Sequence, residues 1–210
     1  MKKIAILFLF CIGCVVTGAQ TINEKDKAIV EKIKQNNLKY QTITSDLKQS
    51  RYVTILDEEL YSEGTFFYKK PDQLAIEYKE GDAMIVNGEK FAMLIGGKLN
   101  ETTAQANSKM GGLKAILTAF LEGDLMQPEA TKITCFEDAH YYIFTVEIDE
   151  NLIRGEIAQV VANYDKKNFS LSLLKIIETD DSYTIYELIN KRFNNAIPEE
   201  KFNMTKRQME

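Results

Sequence analysis

From Thr42 to Lys191 the hydrophobic period of this chain is two, and the links between its apolar runs are short. Short links cannot carry the long crossovers that parallel strands need, so neighbouring strands must run antiparallel. Ile43, Leu47, Val53 and Ile55 fall on one side of a long first strand. Asp57 to Glu59 leads to a second, Tyr61 to Lys69. Lys70-Pro71-Asp72 turns the chain, because Pro71 cannot donate to a ladder and biases its neighbour away from helix. Leu74, Ile76 and Tyr78 then alternate with Ala75, Glu77 and Lys79. Glu80-Gly81-Asp82 is a turn. Asn87-Gly88 between Ala83–Val86 and Glu89–Ile95 is a strong hairpin signal.

Gly96-Gly97 closes this meander, and a polar stretch runs from Lys98 to Lys109. After Pro128, five strands are expected: Thr131 to Phe136, His140 to Ile148, Gly155 to Tyr164, Ser170 to Glu178 and Ser182 to Lys191. Glu137-Asp138, Asp165 to Asn168 and Asp180-Asp181 supply the turns between them.

Two helices break the alternation. The first is preceded by Thr21 and Glu24 at capping-box spacing and carries Ile22, Ile29, Val30, Ile33 and Tyr40 along one face. The second presents Met110, Leu113, Ile116, Leu117, Phe120 and Leu121. Ser108 is its expected N-cap and Gly123 its stop. The order is helix, about five strands, helix, about five strands. A sheet of that size must curl, and a curled sheet has a concave face that the two helices can fill.

The N-terminus reads as an export signal. Lys2 and Lys3 precede an uncharged apolar run from Ile4 to Val16, too short to span a bilayer, and Thr17-Gly18-Ala19 offers small residues for cleavage. Cleavage after Ala19 leaves 191 of 210 residues in one domain, 20–205, with a polar tail at 206–210, and takes the formal charge from −5 to −7. The alternative is a lipobox at Gly13-Cys14, with Cys11 where Leu is usual, which would anchor the protein through an acylated Cys14. Only Cys135 outlasts signal removal, so no intramolecular disulfide is expected. An acidic domain without a basic run is a poor partner for nucleic acid.

Catalytic chemistry has little to stand on. His140 is the single histidine and sits beside Tyr141 and Tyr142 in strand material. No His, Cys, Asp and Glu set has metal spacing. Cys135 reads as a small core residue. Gly96-Gly97 and Gly111-Gly112 lack the Lys and Ser/Thr of a phosphate loop. No enzyme activity and no cofactor are expected. Flexible apolar and aromatic surface is plentiful instead. Leu47, Phe66, Tyr68, Leu74, Ile76, Tyr78, Met84, Phe91, Met93, Met110, Leu113, Leu117 and Phe120 are the candidate lining of a lipid cavity, since methionine suits variable shapes.

Leu47-Lys48-Gln49, Ser62-Glu63-Gly64-Thr65-Phe66-Phe67-Tyr68-Lys69-Lys70-Pro71-Asp72 and Val86-Asn87-Gly88-Glu89-Lys90 together resemble the outer-membrane lipoprotein carrier family, LolA-like proteins. That family shows a Gln-ended first strand, a Gly-x-aromatic strand closed by a basic-basic-Pro turn, and an Asp/Asn-Gly-Lys hairpin. The resemblance implies a mainly β (α+β) fold, a strongly curved antiparallel sheet forming a half-open barrel, with an N-terminal and a mid-chain helix over the concave face. It implies a periplasmic shuttle that takes acylated lipoproteins from an inner-membrane transporter and passes them to an outer-membrane acceptor. The expected partners are acylated lipoproteins or other lipids, and the expected state is a monomer. Better-known carriers place Arg before the proline as a lid clasp. Here Lys70 stands there, a point charge without the planar fork of Arg. The same fold also serves lipid sensors and membrane-anchored acceptors that do not shuttle, and a third possibility is a β-rich envelope scaffold with a filled core.

Overall fold

The computed structural model describes residues 22–104, 106–126, 130–149 and 157–203. The expected signal, Thr21, Cys14, Gly155 and the tail at 206–210 lie outside them.

The elements run α1 (Glu24–Asn37), β1 (Thr42–Val53), β2 (Glu58–Lys69), β3 (Gln73–Tyr78), β4 (Ala83–Asn87), β5 (Lys90–Ile95), β6 (Lys98–Thr103), α2 (Ser108–Glu122), β7 (Ala130–Glu137), β8 (Tyr141–Ile148), β9 (Ile157–Asp165), β10 (Leu171–Glu178) and β11 (Tyr183–Phe193), with a final 3-10 turn, Glu199–Phe202. All eleven strands form one sheet in the order β6-β5-β4-β3-β2-β1-β11-β10-β9-β8-β7. Two meanders are joined where β1 pairs with β11 antiparallel, Gln49 opposite Tyr186 and Arg51 opposite Thr184. β6 and β7 are edges that do not meet, so the sheet is unclosed.

The sheet is strongly curved, because residues far apart along it share one core. Phe91 of β5, Leu47 of β1, Leu174 of β10, Phe144 of β8 and Ile133 of β7 belong to a single buried cluster. Val30 and Ile33 of α1 and Leu117 and Phe120 of α2 complete it, so both helices cover the concave face. Fully burying one such side chain contributes about 1.5–3 kcal/mol, which is what holds two short helices against a sheet.

Local chemistry explains the boundaries. Asn23, rather than a Thr21–Glu24 box, caps α1: its side chain accepts from the Asp26 amide at 2.8 Å. Asn107, one residue before the expected Ser108, caps α2 by accepting from the Met110 amide at 3.2 Å. Gly123 ends α2 as expected, at φ 75°. A Cβ there would lie 2.7 Å from Ile33 Cγ2, so only glycine lets the end of α2 abut α1.

Four further expectations differ from the structure. Ile55 is not on the first strand; it sits in the 54–57 turn and is 87% exposed. The Lys98–Lys109 stretch contains β6, whose polar residues give no alternation because it is an edge strand with little to bury. The tip of the β4–β5 hairpin is Gly88-Glu89, with Asn87 paired to Lys90, one residue later than read. Ala75 is buried beside Leu74 and Ile76, because Ile197 and Phe202 return to cover the convex face of β3 and β4.

Candidate functional site

The two ends of α2 meet different surroundings. Ile116, Leu117, Phe120 and Leu121 fill the curve of the sheet. Leu113 and Met110, one and two turns earlier, are only partly buried against that core and roof a cavity of about 410 Å³. Met84, Met93, Leu94 and Ala83 form one wall, and Ile157 and Ile176 the opposite one. Three methionines around one space make a wall that can be reshaped by rotamer changes. The volume falls in the range of small-molecule sites.

The far end of the cavity is polar. Gln49 and Arg51 of β1 reach it beside Tyr78, Ser62, Glu178, Thr184 and Tyr186. Tyr78 donates to Gln49 Oε1 at 2.5 Å. The Arg51 guanidinium donates to Thr184 Oγ1 at 3.1 Å and to Glu178 Oε1 at 3.3 Å. Burial pushes the Tyr186 phenol up to about 12, with the Glu178 charge adding to it and Arg51 opposing. Burial likewise raises Tyr78 well above the usual phenol range. Both hydroxyls therefore stay protonated near neutrality. Glu80 and Asp82 of the β3–β4 turn stand on the same lining, and Asp82 accepts from the Gly96 amide at 2.9 Å. At this end of the strands the β1–β2 hairpin carries Ile55, Leu56, Leu60 and Tyr61 exposed.

The opposite end of the strands fastens α1. The Lys70 ammonium donates to the Asn37 carbonyl at 3.1 Å and reaches the Leu38 carbonyl at 3.5 Å. A cation at a helix C-terminus is favoured by the backbone dipole. Further ties hold both helices. Lys34 and Asp124 pair at 3.0 Å, Tyr68 donates to Glu122 at 2.8 Å, and Lys114 donates to the Gly88 carbonyl at 2.7 Å. Thr42, the β1 residue nearest the Lys70 corner, and Gln49 are seven residues apart, roughly 23 Å along an extended strand. The Lys70 contact and the cavity thus lie toward opposite ends of the strands.

Of the candidate lipid residues, Tyr78, Met84, Met93, Met110 and Leu113 line the cavity. Leu47, Phe66, Tyr68, Leu74, Ile76, Phe91, Leu117 and Phe120 sit in the filled core, none more than 4% exposed. Sequence reasoning missed Arg51, Glu178, Thr184 and Tyr186, whose meeting depends on the β1–β11 pairing. Cys135 is half-buried, and burial, helped by Asp26 and Glu137, pushes its thiol up to about 11, away from nucleophilic character. His140 is exposed in the turn before β8. Among the described residues no group of His, Cys, Asp and Glu could hold a metal ion.

An unclosed, curled antiparallel sheet with two helices over its concave face defines a class of cup-shaped folds. Within that class, the family model described as outer membrane lipoprotein carrier protein LolA matches residues 26–205, and the chain belongs to that family. No curated protein matches the sequence. Among solved structures, MucB aligns with a TM-score of 0.53 at 6% identity, over 86% of this chain and 63% of that one. The Pseudomonas aeruginosa MucA/MucB complex gives 0.50 at 8%, over 85% and 60%. An uncharacterized conserved protein from Thermus thermophilus gives 0.50 at 6%, over 84% and 92%. The chain thus spans about three fifths of the two MucB chains. At such identities the likeness is one of fold.

Proposed function

We propose that the chain is a periplasmic carrier, exported with cleavage near Ala19, that binds the acyl chains of lipoproteins in the cavity under α2 and passes them to the outer membrane. It does so without catalysing a reaction. The observation that carries this reading is the 410 Å³ cavity lined by three methionines, in a chain of the lipoprotein carrier family. Each methylene shielded from water is worth about 0.8 kcal/mol, so a covered apolar space can hold an acyl chain against a large solvation gradient. Release then requires the cover to shift. Mass spectrometry of the protein purified from the envelope tests the reading. Co-purified acylated peptide on a chain beginning near Gln20 supports it. A chain without lipid, bound to none offered in vitro, overturns it.

A second reading is an anchored acceptor or sensor that holds lipid without shuttling. The exposed Ile55, Leu56, Leu60 and Tyr61 at the β1–β2 tip favour it, because an apolar tip suits lasting contact with another surface. Recovery of acylated Cys14 in the membrane fraction selects this reading over the first.

A further inference from the structure

We infer that β7 and the first turn of α1 form a second binding site, on the outer margin of the sheet, which takes an extended cationic segment of another polypeptide as an added strand. The site is separate from the cavity under α2 and shares no described lining residue with it.

The backbone supplies the first half of the site. β7 pairs with β8 on one side and ends the sheet on the other. Half of its peptide groups therefore point away from the sheet, a template on which another extended chain can pair. β6, the other end strand, has six residues against eight, and its exposed Lys98, Asn100 and Glu101 are all polar or charged. β7 instead exposes Thr131, Thr134 and Phe136, residue types that suit cross-strand contact. The Lys132 ammonium is drawn back to Glu147, opposite it on β8, at 3.0 Å.

A groove beside the strand supplies the second half. It has a volume of about 490 Å³ and runs between Ile22, Asn23 and Asp26 on one side and Ile133, Thr134 and Cys135 on the other. Side chains alternate between the faces of a strand. Every second side chain of a strand added at β7 therefore meets this groove, with Ile22 and Ile133 as its apolar part. Main-chain pairing along an edge, with a pocket for alternate side chains, is a general mode of peptide recognition.

Charge selects the occupant. Asp26 stands on the groove and is 8% exposed. Its Oδ2 accepts from the Asn23 side chain at 2.8 Å, and it pairs with no cation among the described residues. Lys25 is committed to Glu137 at 2.7 Å and Lys27 to Glu24 at 2.8 Å. A carboxylate this buried is costly to hold without a counter-charge. A Lys or Arg of the added strand supplies one, two positions from an apolar residue on the same face. A second copy of β7 does not: the residues it presents on that face are Thr131, Ile133, Cys135 and Glu137, none of them basic.

The test uses the purified, isotope-labelled chain and a blocked heptapeptide, Thr-Val-Thr-Lys-Thr-Val-Thr, which sets Val, Lys and Val on one face. Amide resonances of residues 130–137 should shift and gain protection from hydrogen exchange, while those of Met84 and Met93 on the cavity wall stay in place. Replacing the peptide's Lys by Glu should weaken binding at least about tenfold, the size of one charge-assisted hydrogen bond. N-methylation of one alternate set of peptide amides should abolish binding and of the other set leave it, because only one edge of the added strand meets β7. Asp26→Asn should bring the Lys and Glu peptides to within about twofold of each other; the peptide series itself needs no variant of the chain. No shift in 130–137, equal binding of the Lys and Glu peptides, or indifference to both N-methylated sets overturns the inference. Dimerisation of the chain alone through 130–137 assigns the margin to a second copy and overturns it as well. None of these outcomes bears on lipid carriage, which is read at the other site.

Discussion

The ammonium of Lys70 lies 3.1 Å from the carbonyl oxygen of Asn37, joining the corner between β2 and β3 to the C-terminal end of α1. The contact is one part-buried hydrogen bond, worth about 0.5–1.5 kcal/mol net. Lys70→Leu should lower stability by no more than that, and should speed transfer of bound lipid to acceptor vesicles. Lys70→Arg should slow transfer, because a planar fork can engage the adjacent Asn37 and Leu38 carbonyls together. Melting curves read beside a transfer assay check both. Equal rates in the three proteins would make the corner a turn and nothing more.

Charge placed on the cavity wall should separate binding from folding. Leu113→Glu and Met93→Glu alter half-buried side chains beside open space, so the fold should persist and apolar-probe fluorescence should be lost. Phe91→Asp and Leu117→Asp put an unpaired carboxylate into filled core and should unfold the protein. Circular dichroism distinguishes the two outcomes.

Gly64 is fixed by a close approach rather than by its dihedral angles. A Cβ at this position would stand 2.2 Å from the Glu77 carbonyl oxygen, across the β2–β3 pairing of Gly64 with Tyr78. Gly64→Ala should cost about 1–3 kcal/mol as an overpacked site, and at ~2–4 °C per kcal/mol for a domain of this size it should lower Tm by several degrees. A melting scan suffices to test it.

Lys191 gives stability a dependence on alkaline pH. Its ammonium donates to the Leu171 carbonyl at 2.8 Å and to Ser172 Oγ at 2.6 Å, yet burial lowers its pKa from 10.5 to about 8, with Asp165 opposing. Between about pH 8 and 10 the folded chain has released a proton that the unfolded chain retains. Raising the pH therefore favours the folded state there, by at most ~1.4 kcal/mol per pH unit for one proton. Above about pH 10 the buried tyrosines reverse the trend, since Tyr68, Tyr78 and Tyr186 keep protons that their unfolded counterparts lose. Lys191→Met should abolish the rise across that window in denaturant titrations.

What could be read from the sequence was what depends on neighbours along the chain. Asn87-Gly88 announced a hairpin, Gly123 a helix stop, and the Lys70-Pro71 corner a turn, because each rests on local backbone geometry. β6 escaped because Lys98, Asn100 and Glu101 lie on an edge strand, where no buried face imposes a period. Ile55 was misplaced because period two cannot distinguish the last apolar residue of a strand from an apolar residue on a turn. The polar end of the cavity was illegible for a deeper reason. Arg51 meets Thr184 and Glu178 across 133 and 127 positions of sequence, and only the β1–β11 register, with β10 paired alongside β11, brings them together. The aromatic residues chosen as cavity lining were apolar enough for either role, and those that point where α2 packs tightly became core.

The failure of β6 and β7 to meet has a mechanical consequence. In a closed barrel the bore is fixed by strand number and stagger, so widening it means breaking ladder hydrogen bonds. Among the described residues this sheet has two unpaired margins, and what fills the space between its halves is chiefly α2 and the methionines beneath its first turns. A change of bore then involves sliding a helix and turning flexible thioethers, motions that leave every strand pairing intact. The protein is in this sense a spring clip whose jaw is hydrogen-bonded along its back and adjustable only at its lips.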